Sequence, residues 1–209
     1  MPYIIRPRHV HRFVAGLFGA FLLIGAAPAA ASTGCPQSAT TLAFEKFGDN
    51  AAYTLVEGGL FESGAPGWSL SRAEVIGESP ENGHPRYRDV GRRSRSEETS
   101  SHSLAIFPGG YAVSPAFCVD AERPSFRFLS RVLDGSEGSL DVSLRWTDRR
   151  GTHETSDATL EGHSDWTLSP VLELASRLPA GVTPSVKLVF QPTDGAWAIS
   201  GVYVDPYRR

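Results

Sequence analysis

Gly162-His163-Ser164-Asp165-Trp166 puts a serine between a histidine and an aspartate, and begins like the turn that presents a catalytic serine in α/β-hydrolases. That turn needs a second glycine after the serine and a strand-turn-helix around it. Here Trp166 stands in place of the glycine, and the flanking residues read as a turn before a strand. A hydrolase would also need a nucleophile, a base and an orienting acid to converge. His84, His102, His153 and His163 never fall at a metal-ligand spacing, and two cysteines are too few for a thiolate zinc site. Glu97 and Glu98 are adjacent, so in an extended chain they point apart, which is poor geometry for a pair of glycosidase carboxylates. No glycine loop suited to phosphate is present, no cofactor or metal is implied, and the reading is of a non-enzyme.

Polar residues suited to binding are easier to place. In FRFLSRVL and SLDVSLRW, apolar and polar residues alternate, which means strands with one buried side. If Val132 faces Leu140 across a pairing of these two strands, Arg127, Arg131, Asp141 and Arg145 share the opposite face. Arg131 would then lie beside Asp141, and Arg127 beside Arg145, two like charges that want a shared acid. These four are the candidate ligand-binding residues, set against the reading that they form an ordinary solvated sheet face. Trp68, Trp146, Trp166 and Trp197 could offer faces to a sugar, but aromatic residues in strands serve more often as packing.

The elements that must position these groups are mostly strands. Further strands are expected at Ala73 to Ile76, Ser103 to Phe107, Tyr111 to Ser114, Val186 to Phe190 and Ala196 to Val204, with Asp194-Gly195 making the last two a hairpin. Asp148-Arg149-Arg150-Gly151 reads as a tight turn closed by glycine. In SPVLELASRL, Ser169 and Pro170 suit a helix start and Leu172, Ala175 and Leu178 share a helical face, so one short helical segment is expected there. Many short strands, Gly/Pro turns and this single helical piece describe an all-β chain, a two-sheet antiparallel β-sandwich. Residues 77–101 are charged and poor in aliphatics; Arg92, Arg93, Arg95, Glu97 and Glu98 read as a solvated mixed-charge loop.

Arg6, Arg8 and Arg12 precede an uncharged apolar run from Phe13 to Ala27 and the small residues Ala29-Ala30-Ala31, the pattern of a secretory signal at 1–31. The run is too short for a membrane span, and nothing later is apolar enough for one. Cleavage would remove three arginines and no acid from a chain whose formal charge is already −3, which argues against a nucleic-acid partner. Cys35 and Cys118 would then meet an oxidising compartment, so a disulfide is the default expectation. It would tie an N-terminal segment, 32–56, to a sandwich domain, 57–209. The localisation implied by the signal is secreted or extracellular.

GGLFESGAPGWSL, SSHSLAIFPGG, SDWTLSPVLEL and GAWAISGVYVDPY resemble, in that order, the landmarks of galactose-binding-like jelly rolls of the carbohydrate-binding-module kind. The chain also looks like a group of secreted bacterial proteins with the same "GW" start and a "VYVDPYRR"-like ending. The resemblance implies a jelly roll binding a carbohydrate or another cell-envelope component. An extracellular structural or protein-interaction module is the second reading, and a hydrolase the third. In such modules the early glutamate and an aspartate of the last strand can hold calcium. Glu62 stands at the glutamate position, but Ser200 and Gly201 replace the aspartates and Asp205 lies too far along the strand. Glu62 is thus expected to be a remnant of a calcium site, binding the ion weakly or not at all. Phe61 should pack inward, Trp68 should cover the core edge, and Glu62 should be held by backbone amides or a neighbouring arginine.

Overall fold

The computed structural model describes residues 39–80, 101–119, 124–134, 137–148, 150–174, 176, 178 and 185–205. The signal-like segment, Cys35, His84 and most of the charged loop, with Arg92, Arg93, Arg95, Glu97 and Glu98, lie outside these residues.

Eleven strands carry the fold: β1 (Thr54–Leu55), β2 (Ser69–Ile76), β3 (Ser103–Val113), β4 (Phe117–Cys118), β5 (Ser125–Val132), β6 (Ser139–Asp148), β7 (Gly151–Glu161), β8 (Thr167–Leu168), β9 (Leu172–Glu173), β10 (Ser185–Asp194) and β11 (Trp197–Asp205). All pairings are antiparallel, and they form one continuous sheet in the order β7-β6-β10-β3-β11-β5-β8, curled so that it faces itself.

The sheet turns the corner in β2 and β3. The C-terminal end of β3 pairs with β10 through Val113 and Ala112, while its N-terminal end pairs with β11 through Leu104, Ala105 and Ile106. β2 follows β3 through the bend, with its register broken between Ser71 and Ala73, where Arg72 adopts φ 46°. The bend brings backbones so close that a Cβ on Gly110 would lie 2.5 Å from the Ser71 carbonyl oxygen. Only glycine fits there without moving β2. The residues expected as two strands, Ser103 to Phe107 and Tyr111 to Ser114, are thus two halves of one strand bent between layers.

The first layer is β7, β6, β10 and the adjoining halves of β3 and β2; the second is the other halves with β11, β5 and β8. Between them Phe126, Phe128, Leu140, Val142, Leu144, Leu188, Phe190, Trp197 and Ile199 form the main core, all fully buried. Phe61 and Trp68 join it: their rings meet edge to face at 5.1 Å, and Trp68 stacks on Phe190 at 6.1 Å. Gly59 lets this turn approach β11, since a Cβ there would lie 2.8 Å from the Val202 oxygen.

Two pairings expected from sequence are corrected. β5 and β6 do not pair: β5 bonds β11, β8 and β9, whereas β6 bonds β10 and β7, so the connection between them crosses from one layer to the other. Alternation showed which side of each strand is buried, and both strands do bury that side, but from opposite layers. Likewise Asp194-Gly195 joins β10 to β11 across the corner, with β3 between them, instead of closing a hairpin. The turn at Asp148 and Gly151 does close the β6–β7 hairpin.

The helical segment expected after Ser169 is corrected in its first part. Leu172–Glu173 is strand β9, paired with Phe126 and Ser125, and Leu172 and Leu174 are buried on either side of exposed Glu173. The Ser169 hydroxyl accepts the Phe128 amide instead of capping a helix. Leu172, Ala175 and Leu178 fit a helical spacing while Leu172 and Leu174 fit period two, and pairing with β5 decides for the strand at Leu172–Glu173. Further along the expected segment Ser176 is in 3₁₀ geometry, and a 3₁₀ turn also forms at Glu45–Phe47.

Candidate functional site

The two outer faces of the sandwich differ. On the second layer the face is covered: Phe44 and Tyr53 of the N-terminal segment pack on Tyr203, Leu129, Ala198 and Trp166 in a second apolar cluster. Arg127 lies beneath this cover, bonded to Asp49 at 2.5 Å and to the Ser169 carbonyl through Nε and a terminal nitrogen at 2.9 and 2.6 Å. Tyr53 donates to the same Asp49 carboxylate. Arg131 reaches Glu78 and lies over the Trp166 ring at 5.8 Å. Both arginines are therefore engaged in fixing segments to β5.

Asp141 and Arg145 are on the opposite outer face, that of the first layer. The four candidate residues are thus divided in pairs between the two sides of the molecule, because β5 and β6 belong to different layers. The first-layer face carries no second apolar cluster among the described residues, and Glu154, Ser156, Thr159, Lys187 and Gln191 are exposed on it.

Register across four strands arranges this face in three rows. Thr159, Asp141 and Gln191 are directly opposite one another on β7, β6 and β10, and on β3 the outward Tyr111 follows the Ala112↔Phe190 pair, itself opposite Ser71. The middle row is Ser156, Ser143, Val189, Val113 and Ser69. Glu154, Arg145 and Lys187 form the third. Serines and valines are shorter than the side chains on either side, so the middle row is the floor of a trough running across the strands. Val189 and Val113 are only 3% and 4% exposed although they point away from the core, as floor residues between taller walls would be. Rows two residues apart on a strand are about 7 Å apart, so the walls stand about 13 Å from each other at the backbone. Tyr111, 42% exposed, offers a ring at one end.

The walls are held by hydrogen bonds. Arg145 meets one Glu154 oxygen at 2.9 Å through Nε and 2.7 Å through a terminal nitrogen, and Ser143 donates to the other at 2.5 Å. Partial burial pulls the Glu154 carboxyl up, but the bonds from Ser143 and Arg145 and the arginine's charge leave it below the usual range. Thr159 donates to Asp141 at 2.6 Å.

A second polar cluster surrounds Glu62. One oxygen accepts the amides of Ser101 and His102 at 2.5 and 2.9 Å; the other accepts the Ser101 hydroxyl at 2.6 Å and lies 3.1 Å from His102 Nδ1. Among the described residues, backbone amides hold the glutamate, together with a serine and a histidine. Desolvation acts upward on Glu62, but these bonds outweigh it and hold its pKa at about 2. β11 lies alongside, with Ser200 donating to the His102 carbonyl at 3.3 Å.

These residues do not fit calcium. The ion needs several free oxygens, whereas the Glu62 oxygens face N–H and O–H donors, and Ser200 and Gly201 supply no carboxylate. Among the described residues no three His, Cys, Asp or Glu side chains gather as a metal site. The Ser101, His102 and Glu62 trio is not a catalytic relay either. Ser101 Oγ lies 2.8 Å from His102 Nδ1, the same nitrogen that meets Glu62, so the ring does not bridge acid and serine through its two nitrogens. The trio gave no signal in the sequence, because Glu62 lies 40 residues from His102. At the serine near Trp166, the polar contacts are main-chain: the His163 carbonyl accepts Val132 N–H, and the Ser164 carbonyl accepts Arg131.

No protein-family model matches the chain, and no curated protein does. Solved structures similar to it include the family 22 carbohydrate-binding module of Clostridium thermocellum Xyn10B, at 17% identity and a TM-score of 0.46 over 70% of this chain and 89% of that one. The xylan-binding domain of Paenibacillus barcinonensis Xyn10C is similar at 12% identity and a TM-score of 0.45, over 68% and 88%. TmCBM61, solved in complex with β-1,4-galactotriose, is similar at 13% identity and a TM-score of 0.41, over 74% and 98%.

Proposed function

We propose that the chain is a secreted, non-catalytic β-sandwich that binds an elongated carbohydrate in the trough across β7, β6, β10 and β3. The observation that supports this is the row of small side chains walled on both sides by polar ones, on the outer face opposite the one that Phe44 and Tyr53 cover. A sugar ring needs an aromatic or apolar surface for its C–H face and fixed polar groups for its hydroxyls. Tyr111 is suited to the first requirement, and Asp141, Gln191, Thr159 and Glu154 to the second. Among the described residues the exposed large apolar side chains, Leu42, Phe47, Leu70, Tyr111 and Val171, are spread over the N-terminal segment, β2, β3 and the approach to β9. A protein-interaction surface would call for a more continuous patch.

The test is retention on insoluble or immobilised polysaccharides, with Tyr111→Ala removing the ring and Ser156→Trp, at an exposed position of the middle row, filling the floor. Both variants should lose most retention while keeping the parent circular dichroism and melting temperature. A wild-type protein retained by no polysaccharide, or variants retained as well as the parent, would reject the trough as a sugar site.

A further inference from the structure

The two walls of the trough differ in charge, and with the trough as the binding site this difference selects among carbohydrates. Arg145 and Lys187 are directly opposite on β6 and β10. Like charges in that position destabilise a sheet unless something offsets them. Glu154 offsets Arg145 from the β7 side, while Lys187, at the β10 side, makes no ion pair among the described residues. One wall therefore presents a net positive charge beside the floor. The other presents Asp141, whose carboxylate is bonded to Thr159.

Resting on the trough as the sugar site, we infer that the ligand is an acidic polysaccharide whose carboxylate or sulfate groups lie against Lys187 and Arg145. Asp141 repels an anion from the far wall, so the acidic groups line one side and uncharged hydroxyls face Asp141 and Gln191. This arrangement fixes the orientation of the polysaccharide in the trough. The protein's formal charge of −3 would not draw a polyanion by long-range attraction, so selection has to be local, at contact distance. Charge-assisted hydrogen bonds of this kind are stronger than neutral ones and weaken with salt.

Binding of the full chain to three probes tests the inference: polygalacturonate for the carboxylate, dextran sulfate for the sulfate, and neutral galactan. At least one acidic probe should bind on the order of tenfold more tightly than galactan, equivalent to about 1.4 kcal/mol. Lys187→Gln should remove most of that preference, lowering affinity for the acidic probe far more than for galactan, and Lys187→Arg should retain it. Tyr111→Ala should weaken every probe that binds, acidic or neutral. Preference for polygalacturonate assigns a carboxylate and preference for dextran sulfate a sulfate; either supports the inference. Galactan bound as tightly as both acidic probes, with Lys187→Gln without effect, overturns the charge selection and leaves the trough as a sugar site. Acidic binding insensitive to Tyr111→Ala marks simple ion exchange and overturns it too. Retention of none of the three overturns the inference together with the sugar site on which it rests.

Discussion

Among the described residues Glu62 receives donors from the two consecutive residues Ser101 and His102, and this gives its carboxylate a role in stability that depends on pH. Its pKa falls from an ordinary 4.5 to about 2 on folding, so the folded state prefers the ionised form. A depressed carboxylate contributes in full above its unfolded pKa and loses that contribution as pH falls through the folded one. Glu62→Gln should therefore cost roughly 1 kcal/mol at neutral pH, a figure reduced from the usual value for charged hydrogen bonds because a third of the side chain is open to water. The difference from wild type should hold from neutral pH down to about 4.5 and shrink between 4.5 and 2. Urea unfolding of both proteins across that range measures it, and a difference that widens on acidification would contradict the assigned bonds. The sequence supported a glutamate turned toward the last strand and held by amides or a neighbouring arginine. It could not indicate the partners, since Ser101 and His102 reach Glu62 only after β2 and β3 have folded back on each other.

Arg127 and Arg145 looked equivalent as polar positions on alternating strands, and the elements around them make them unlike. Arg127 is 15% exposed and ties β5 to the N-terminal segment through an Asp49 that is 8% exposed, whereas Arg145 is 34% exposed on a single hairpin. Removing one partner of a buried pair strands the other charge, at a cost of about 3 kcal/mol, while an exposed pair contributes roughly 0.5 kcal/mol. Arg127→Ala should thus lower stability several-fold more than Arg145→Ala in chemical denaturation, and equal costs would mean that the segment is not held through Asp49. Strand identity and the buried side of β5 and β6 were legible because alternation is a local property. Their partners were not, because a short connection between two strands is compatible with either a hairpin or a crossing between layers. The trough was illegible for the same reason: its floor takes Ser143, Val189 and Val113 from three strands that are remote in sequence.

For the molecule as a whole, the question is what keeps the N-terminal segment on the second layer. Thr41 bridges to Tyr53, β1 pairs with β11, and Phe44, Tyr53 and Tyr203 meet edge to face at 4.9 and 5.4 Å. Just ahead of this segment in sequence is Cys35, whose expected partner, Cys118, closes β4 against the end of β10 at the rim of the first layer. A bond between them would link a segment lying on one layer to a strand of the other. Closing so long a loop removes unfolded-chain entropy worth up to about 4 kcal/mol. If the segment stays in place or leaves as a unit, this bond and Arg127 act on one event, and their losses cannot both be felt in full. Cys118→Ser should therefore lower stability by up to about 4 kcal/mol. Adding Arg127→Ala should then cost less than it does in the parent. Thiol titration of the unreduced, denatured protein checks the premise: two reactive thiols would remove the bond from the account, and strictly additive losses would show that the segment is held at two independent places.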